Sequence, residues 1–148
     1  MNVNAILVVC LGNICRSPLG ERLLQTGLPD VTVTSAGLTA MVGHGADADA
    51  AEAAAKLGID LGGHVSRQFT AEIGRGADLI LVMDAEQRRS IGSNHPELSG
   101  KTLLFDQWIG ARGVPDPYRR GKAVHAEVAS LLQMAADEWI SKIKGAAK

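Results

Sequence analysis

The sequence predicts a single α/β domain built on a parallel sheet, and three observations lead there. Short apolar runs rich in Val, Ile and Leu recur without polar alternation, at about 5–10, 31–34, 79–83 and 102–105, as strands covered on both faces should. Segments with helical patterning separate them, which implies parallel strands joined by right-handed crossovers. The 148 residues suit one domain, spanning 1–148, that can bury a continuous core. The first helix opens at Ser17-Pro18 and runs through Leu19, Leu23 and Leu24, with Ser17 a natural N-cap and Pro18 suited to the first position. A second covers Ala46 to Leu57, with Asp47, Asp49 and Glu52 near its start and Gly58 after its end. Asp84 reads as the N-cap of a helix over about 85–92. A last helix of about 20 residues places Val124, Val128, Leu131, Leu132, Ala135 and Trp139 on one apolar stripe, which makes Trp139 a core residue. Only Lys144 to Lys148 reads as a disordered tail.

Composition excludes several function classes. Fifteen basic and sixteen acidic residues leave a net charge of −1, against a nucleic-acid or membrane-surface protein that relies on bulk positive charge. Hydrophobic residues make up 46% but aromatics only 3%, so the core is aliphatic. No run approaches a membrane span and no basic leader precedes a long apolar stretch, so the expectation is a cytoplasmic protein. Two cysteines are too few for a disulfide framework, and no Cys/His spacing resembles a zinc site. His44, His95 and His125 match no motif and are expected at the solvent.

Both cysteines lie in one loop, Cys10-Leu11-Gly12-Asn13-Ile14-Cys15-Arg16-Ser17, between the first strand and the first helix. A loop ending at a helix N-terminus offers free backbone N–H groups and the positive end of the dipole to a dianion, with Gly12 letting the chain turn tightly around it. Arg16 adds a planar fork that can grip two phosphoryl oxygens at once. Cys10 would sit beneath the phosphorus, in a field of the kind that lowers a thiol pKa from about 8.5 to roughly 3.5–7.5. A leaving alkoxide or phenoxide then needs a proton donor. Asp116, between Pro115 and Pro117, is the strongest candidate, because both prolines stiffen its backbone; alone, such a Pro-Asp-Pro reads more readily as a solvated turn, and its pairing with the Cys10 loop reverses that preference.

Val9 to Pro18 together with Asp116-Pro117-Tyr118 resembles the low-molecular-weight protein tyrosine phosphatase family. Ser35-Ala36-Gly37, His64 to Gln68 and Met83-Asp84 also match in order and approximate spacing. The nearest branch resembles the bacterial enzymes encoded with exopolysaccharide or capsule machinery, to which Leu103-Leu104-Phe105 and Val114 to Arg119 are similar. The resemblance implies a three-layer sandwich on a four-stranded parallel sheet of flavodoxin-like order, and a hydrolase with no metal and no cofactor. Cys10 would be nucleophile, Arg16 phosphate clamp and Asp116 general acid and then base. Leu11 to Ser17 would bind phosphate, and Ser17 would hydrogen-bond the Cys10 sulfur. Asn13, Ser35 and His64 would keep the loop preformed, Asn13 being a residue type that tolerates positive φ. Taken alone, His64 reads as an ordinary, partly buried histidine. Arg67 and Asp84 would be structural. Cys15 is either a small buried residue or, as the resemblance implies, a second thiol that bridges Cys10 reversibly and spares it irreversible oxidation.

Met41 falls near a position where animal members carry an aromatic residue, so one wall of the cleft would be aliphatic and flexible, with Tyr118 the other. The substrate implied for this branch is a phosphotyrosine protein, a bacterial membrane tyrosine autokinase, acted on by a monomer without stable membrane association. Three alternatives share part of the pattern. Arsenate reductases of this fold relay oxidation through further cysteines, which this chain lacks. Protein-arginine phosphatases tend to carry threonine where Ile14 stands, and the larger Ile favours an aryl substrate. A phosphopeptide-binding module would need neither the thiol nor the acid.

Overall fold

The computed structural model describes residues 2–146. Its strands are β1 (Ala5–Cys10), β2 (Thr32–Gly37), β3 (Leu79–Val82) and β4 (Thr102–Leu104), and its helices α1 (Arg16–Gly27), α2 (Ala48–Lys56), α3 (Ala71–Arg75), α4 (Ala85–Asn94) and α5 (Lys122–Ala146). All strand pairs are parallel, in the order β2-β1-β3-β4, so β1 is central. The chain steps from β1 to one side and then returns to the other. That reversal opens a crevice at the carboxyl end of β1, where open α/β sheets bind ligands.

Side-chain alternation along β1 builds two cores. Ile6, Val8 and Cys10 face α1 and α5, joining Leu19, Leu23, Leu132 and Trp139. Leu7 and Val9 face the other way, with Ile80, Val82, Ile91 and Leu98. Both cores are mainly aliphatic, as composition requires, with Phe105 and Trp139 in the first and Phe69 in the second. Trp139 is buried, its Nε1–H donating to Phe105 O at 2.9 Å. Among the described residues, no helix is long and apolar enough to cross a membrane.

Several boundaries differ from the sequence expectation, each for a physical reason. β2 extends past residue 34 because Ser35, Ala36 and Gly37 pair with Val8, Val9 and Cys10; ladder pairing overrides their weak strand preference. α1 begins at Arg16, so Ser17 is inside the helix and Pro18 is its third residue; the Ser17 hydroxyl is engaged by Cys10 and Asn13 and does not cap. Asp47 sits outside α2 as its N-cap, accepting from Asp49 N and Ala50 N. Asp84 caps α4 through Gln87 N, as expected. The helix α5 continues through Lys144 to Ala146, where a tail was expected; Ala147 and Lys148 lie outside the described residues. His44 is exposed and His95 is partly covered, its ring 6.0 Å from that of Phe69. His125 is not at the solvent: it is 3% exposed, on the buried stripe of α5.

Candidate active site

The central strand delivers Cys10 to the crevice, and the next six residues wrap into α1. The Cys10 sulfur is 2.9 Å from Ser17 Oγ, and Ser17 N–H points at it from 3.4 Å. Asn13 stands at φ 58° and is fully buried. Its Oδ1 accepts from Arg67 N–H at 3.0 Å, which orients Nδ2 towards two hydroxyls, Ser17 Oγ at 2.7 Å and Ser35 Oγ at 3.0 Å. Because Asn13 already donates to Ser17 Oγ, the Ser17 hydroxyl proton is free to point at the Cys10 sulfur. The Ser35 hydroxyl likewise donates to Glu21 Oε1 at 2.8 Å. One chain of hydrogen bonds thus links the thiol to the Glu21 carboxylate, with Asn13 at its centre donating both ways, so that the Ser17 hydroxyl proton points to the sulfur and the Ser35 hydroxyl proton to the carboxylate.

The loop backbone is tied down from the opposite side. Asn13 O accepts from His64 Nε2 and from Ser66 Oγ, both at 2.6 Å. A carbonyl can only accept, so His64 carries its proton on Nε2. Arg67 Nε donates to Ser35 O at 2.8 Å, and Asp84 stays with its helix cap.

Gly37 makes this packing possible. A Cβ there would lie 2.5 Å from Leu11 O and 3.0 Å from Asn13 N. At Gly12 a Cβ would meet only Ile14 and Met41, at 3.7 and 3.9 Å, and the positive φ of the loop belongs to Asn13. The bare Gly12 leaves room on the slot wall instead.

Arg16 is 4% exposed. Its Nη1 donates to Val114 O at 2.9 Å, and Nη2 lies 3.7 Å from Asp116 Oδ2. The guanidinium fork is thereby oriented by the loop that holds the aspartate. Asp116 is half exposed, with Oδ1 accepting from Tyr118 N–H at 3.1 Å. Cys10, Gly12, Arg16, Met41, Asp116 and Tyr118 surround one slot of about 160 Å³, with Leu11, Ile14, Cys15 and Thr39. Cys15 is a buried free thiol; burial first, then the Asp47 carboxylate, push it far above the ordinary thiol range. Beside the slot a wider groove of about 610 Å³ continues past Leu38, Asp84, Gln87 and Arg112.

Of the site residues expected from the sequence, all line this slot except Asn13, Ser17, Ser35 and His64, which are joined to it through hydrogen bonds of the loop. Sequence reasoning missed Glu21, Ser66 and the Arg67 backbone, which complete the Asn13 network, and Thr39, which lines the slot. Ser66 and Arg67 fell inside a matching segment, so a signal was present; Glu21 lies one helical turn beyond Ser17 and carried none.

A model of the family described as low molecular weight phosphotyrosine protein phosphatase matches residues 5–148. The low molecular weight protein-tyrosine-phosphatase Etp of Escherichia coli (strain K12) is 48% identical over 143 residues, 97% of each chain. The crystal structure of the tyrosine phosphatase Wzb from Escherichia coli K30 in complex with sulphate superposes with a TM-score of 0.93 at 43% identity, covering 95% of this chain and 99% of that one. Vibrio vulnificus Wzb in complex with benzylphosphonate gives 0.92 at 46% identity, covering 95% and 99%. All three are bacterial, as the resemblance implied, and by the extent of these matches the chain belongs to the low molecular weight phosphotyrosine protein phosphatase family.

Proposed function

We propose that this protein-tyrosine-phosphatase hydrolyses phosphotyrosine in two in-line steps through a phosphocysteine at Cys10. The observation that carries the reading is the meeting, at one slot, of the Cys10 sulfur, the buried Arg16 fork and Asp116, with Arg16 oriented by the acid's own loop. Phosphate oxygens would take the N–H groups of the loop from Leu11 to Ser17 at the N-terminus of α1 and the two outer nitrogens of Arg16. The Cys10 thiolate attacks phosphorus, the bond to the tyrosyl oxygen breaks, and Asp116 gives that oxygen a proton. Water then attacks the phosphocysteine, Asp116 takes the water's proton, and Cys10 leaves as thiolate with inorganic phosphate released. The Ser17 hydroxyl, its proton aimed at sulfur, stabilises that thiolate as leaving group. Catalysis by preorganised donors of this kind is the dominant source of acceleration in phosphoryl transfer. Met41 and Tyr118 would sandwich the aryl ring, with Ile14 packed against them in the slot lining.

The physiological substrate we propose is the tyrosine-rich cytoplasmic tail of a bacterial membrane tyrosine autokinase governing exopolysaccharide or capsule production, met in the cytoplasm by a monomeric enzyme. Cys15, a neutral thiol at the loop, would condense with a Cys10 sulfenic acid, forming the disulfide and releasing water. Mass spectrometry after mild peroxide should find the Cys10–Cys15 bridge; sulfinic Cys10 without it sinks that role.

Steady-state hydrolysis tests the reading, with an aryl phosphate and with phosphotyrosine, phosphoserine and phosphoarginine peptides. Aryl and phosphotyrosine turnover should proceed without added metal, vanish in Cys10→Ser, and fall by about 10²–10⁴-fold in Asp116→Asn. Unchanged turnover in Cys10→Ser would refute the mechanism, and faster phosphoarginine hydrolysis would overturn the substrate class.

A further inference from the structure

Behind the slot, Cys15 faces a second set of groups that the phosphatase mechanism does not use. The Cys15 thiol, an Asp47 carboxylate oxygen and a ring nitrogen of His125 all lie within 4.8 Å of one another. They come from three separate elements: the phosphate loop, the N-cap of α2 and the first turn of α5. Asp47 Oδ2 is 3.6 Å from His125 Nε2. The His125 side chain is 2% exposed, and its Nε2 has no hydrogen-bond partner among the described residues. A buried imidazole nitrogen left unmatched is costly, so something chemically suited to it belongs there. Beside Cys15 and His125 is a void of about 10 Å³, near the size of one water sphere, otherwise lined by apolar side chains of α1, α2 and α5 and by Pro117. Asp47 is also tethered to the phosphate loop, its N–H donating to Ile14 O at 2.9 Å.

We propose that Cys15, Asp47 and His125 form a binding site for a divalent transition cation of the Zn²⁺ type, behind the catalytic slot and adjoining it at Cys15. Thiolate, imidazole and carboxylate are the donor set that such an ion takes, at about 2.0–2.3 Å each, with a water completing a tetrahedron. Two anionic donors and one neutral donor cancel the charge of a dication, which suits a buried position. Binding displaces the Cys15 thiol proton and closes the three side chains around the ion. The site is not part of the hydrolytic chemistry. It pins the back of the phosphate loop to α2 and α5, and it makes Cys15 unavailable to Cys10, so a bound cation and a Cys10–Cys15 disulfide are mutually exclusive.

The test uses the full chain, freed of metal by chelation, kept reduced without thiols and titrated with Co²⁺. Cys10 and Cys15 are its only cysteines, so Cys10→Ser leaves Cys15 as the sole thiol. The expected result is one equivalent of Co²⁺ with a thiolate-to-cobalt charge-transfer band in both wild type and Cys10→Ser, displaced by Zn²⁺. The band should be absent from Cys15→Ser. Affinity should fall by more than about 100-fold in His125→Gln and in Asp47→Asn, beyond what loss of an outer-shell partner costs; Asn keeps the α2 cap. A readout independent of folding in those variants is alkylation of Cys15 in Cys10→Ser, which Zn²⁺ should slow. No band in wild type, a band that follows Cys10 instead of Cys15, a band indifferent to His125 and Asp47, or alkylation unaffected by Zn²⁺ would each overturn the site.

Discussion

The two ends of β1 are held in opposite ways. At the amino end, the exposed Asp78 carboxylate accepts from Asn4 N–H at 2.7 Å and Ala5 N–H at 2.9 Å. At the carboxyl end, the residues after Cys10 are held by a buried chain through Ser17, Asn13 and Ser35 to Glu21, and by His64, Ser66 and Arg67 from the opposite side. One exposed charge suffices to start a strand, because water can replace either partner when it moves. A loop that presents donors to a transition state, as proposed for this one, cannot accept such replacements, since reorganisation during reaction would cost the stabilisation it supplies. The strand itself is the same buried element throughout, so rigidity is concentrated where the chemistry is.

The sharpest way to break the carboxyl end is Arg16→Lys. An ammonium cannot hold Val114 O and two phosphate oxygens in one plane, although it keeps the charge. We expect kcat/KM for an aryl phosphate to fall by about 10²–10³-fold with little change in thermal stability. A loss under 10-fold would mean that charge alone, and not the oriented fork, serves the phosphate.

Next in size is Gly37→Ala, which inserts a methyl 2.5 Å from Leu11 O and forces the loop off β2. Overpacking of this kind costs about 1–3 kcal/mol, read as a lower urea midpoint, and the displaced loop should lower kcat by roughly 10-fold or more. Asn13→Gly and Asn13→Ala separate the two functions of that residue. Both lose the side-chain network, and only Ala adds the strain of φ 58°, about 1–2 kcal/mol. Equal stability of the two would show that the conformation at residue 13 is not a constraint.

That Cys10, Arg16, Asp116 and most of the loop's supports belong to one site was legible in the sequence, for a physical reason. Cys10, Arg16 and Ser17 are close in sequence, so strand, loop and helix patterning alone places them, and Asp116 is marked by its two prolines. Asn13, Ser35 and His64 were reached only through resemblance, because their partnership depends on which strands neighbour β1. Glu21 was invisible because an acidic residue on an amphipathic helix normally faces water; here the Ser35 hydroxyl gives it a partner across the α1–β2 contact. His125 was misjudged for the opposite reason. A lone polar residue on an otherwise apolar stripe reads as a stripe edge, whereas its three-dimensional neighbours, Cys15 and Asp47, are far away in sequence.

The smallest effect belongs to the amino end of β1, and its pH dependence distinguishes it from all the others. The N–H groups of Asn4 and Ala5, with a lesser contribution from Lys101, hold the Asp78 carboxyl below its ordinary range. Its folded-state pKa is therefore lower than its unfolded value of about 3.9. A group depressed in this way contributes stability above the unfolded value, and the contribution fades as pH falls through the folded one. Asp78→Asn, which keeps the shape and an amide oxygen but not the charge, should therefore be slightly less stable than wild type at pH 7. That difference should shrink steadily below about pH 4. Because the pair is exposed, it should also shrink with added salt. Urea unfolding of both proteins across this range checks the argument, with aryl phosphatase activity at pH 7 as a control that should not move. A stability difference that persists unchanged in acid would mean that Asp78 acts through hydrogen-bond geometry alone, and the contrast between a charge-held and a network-held strand end would be lost.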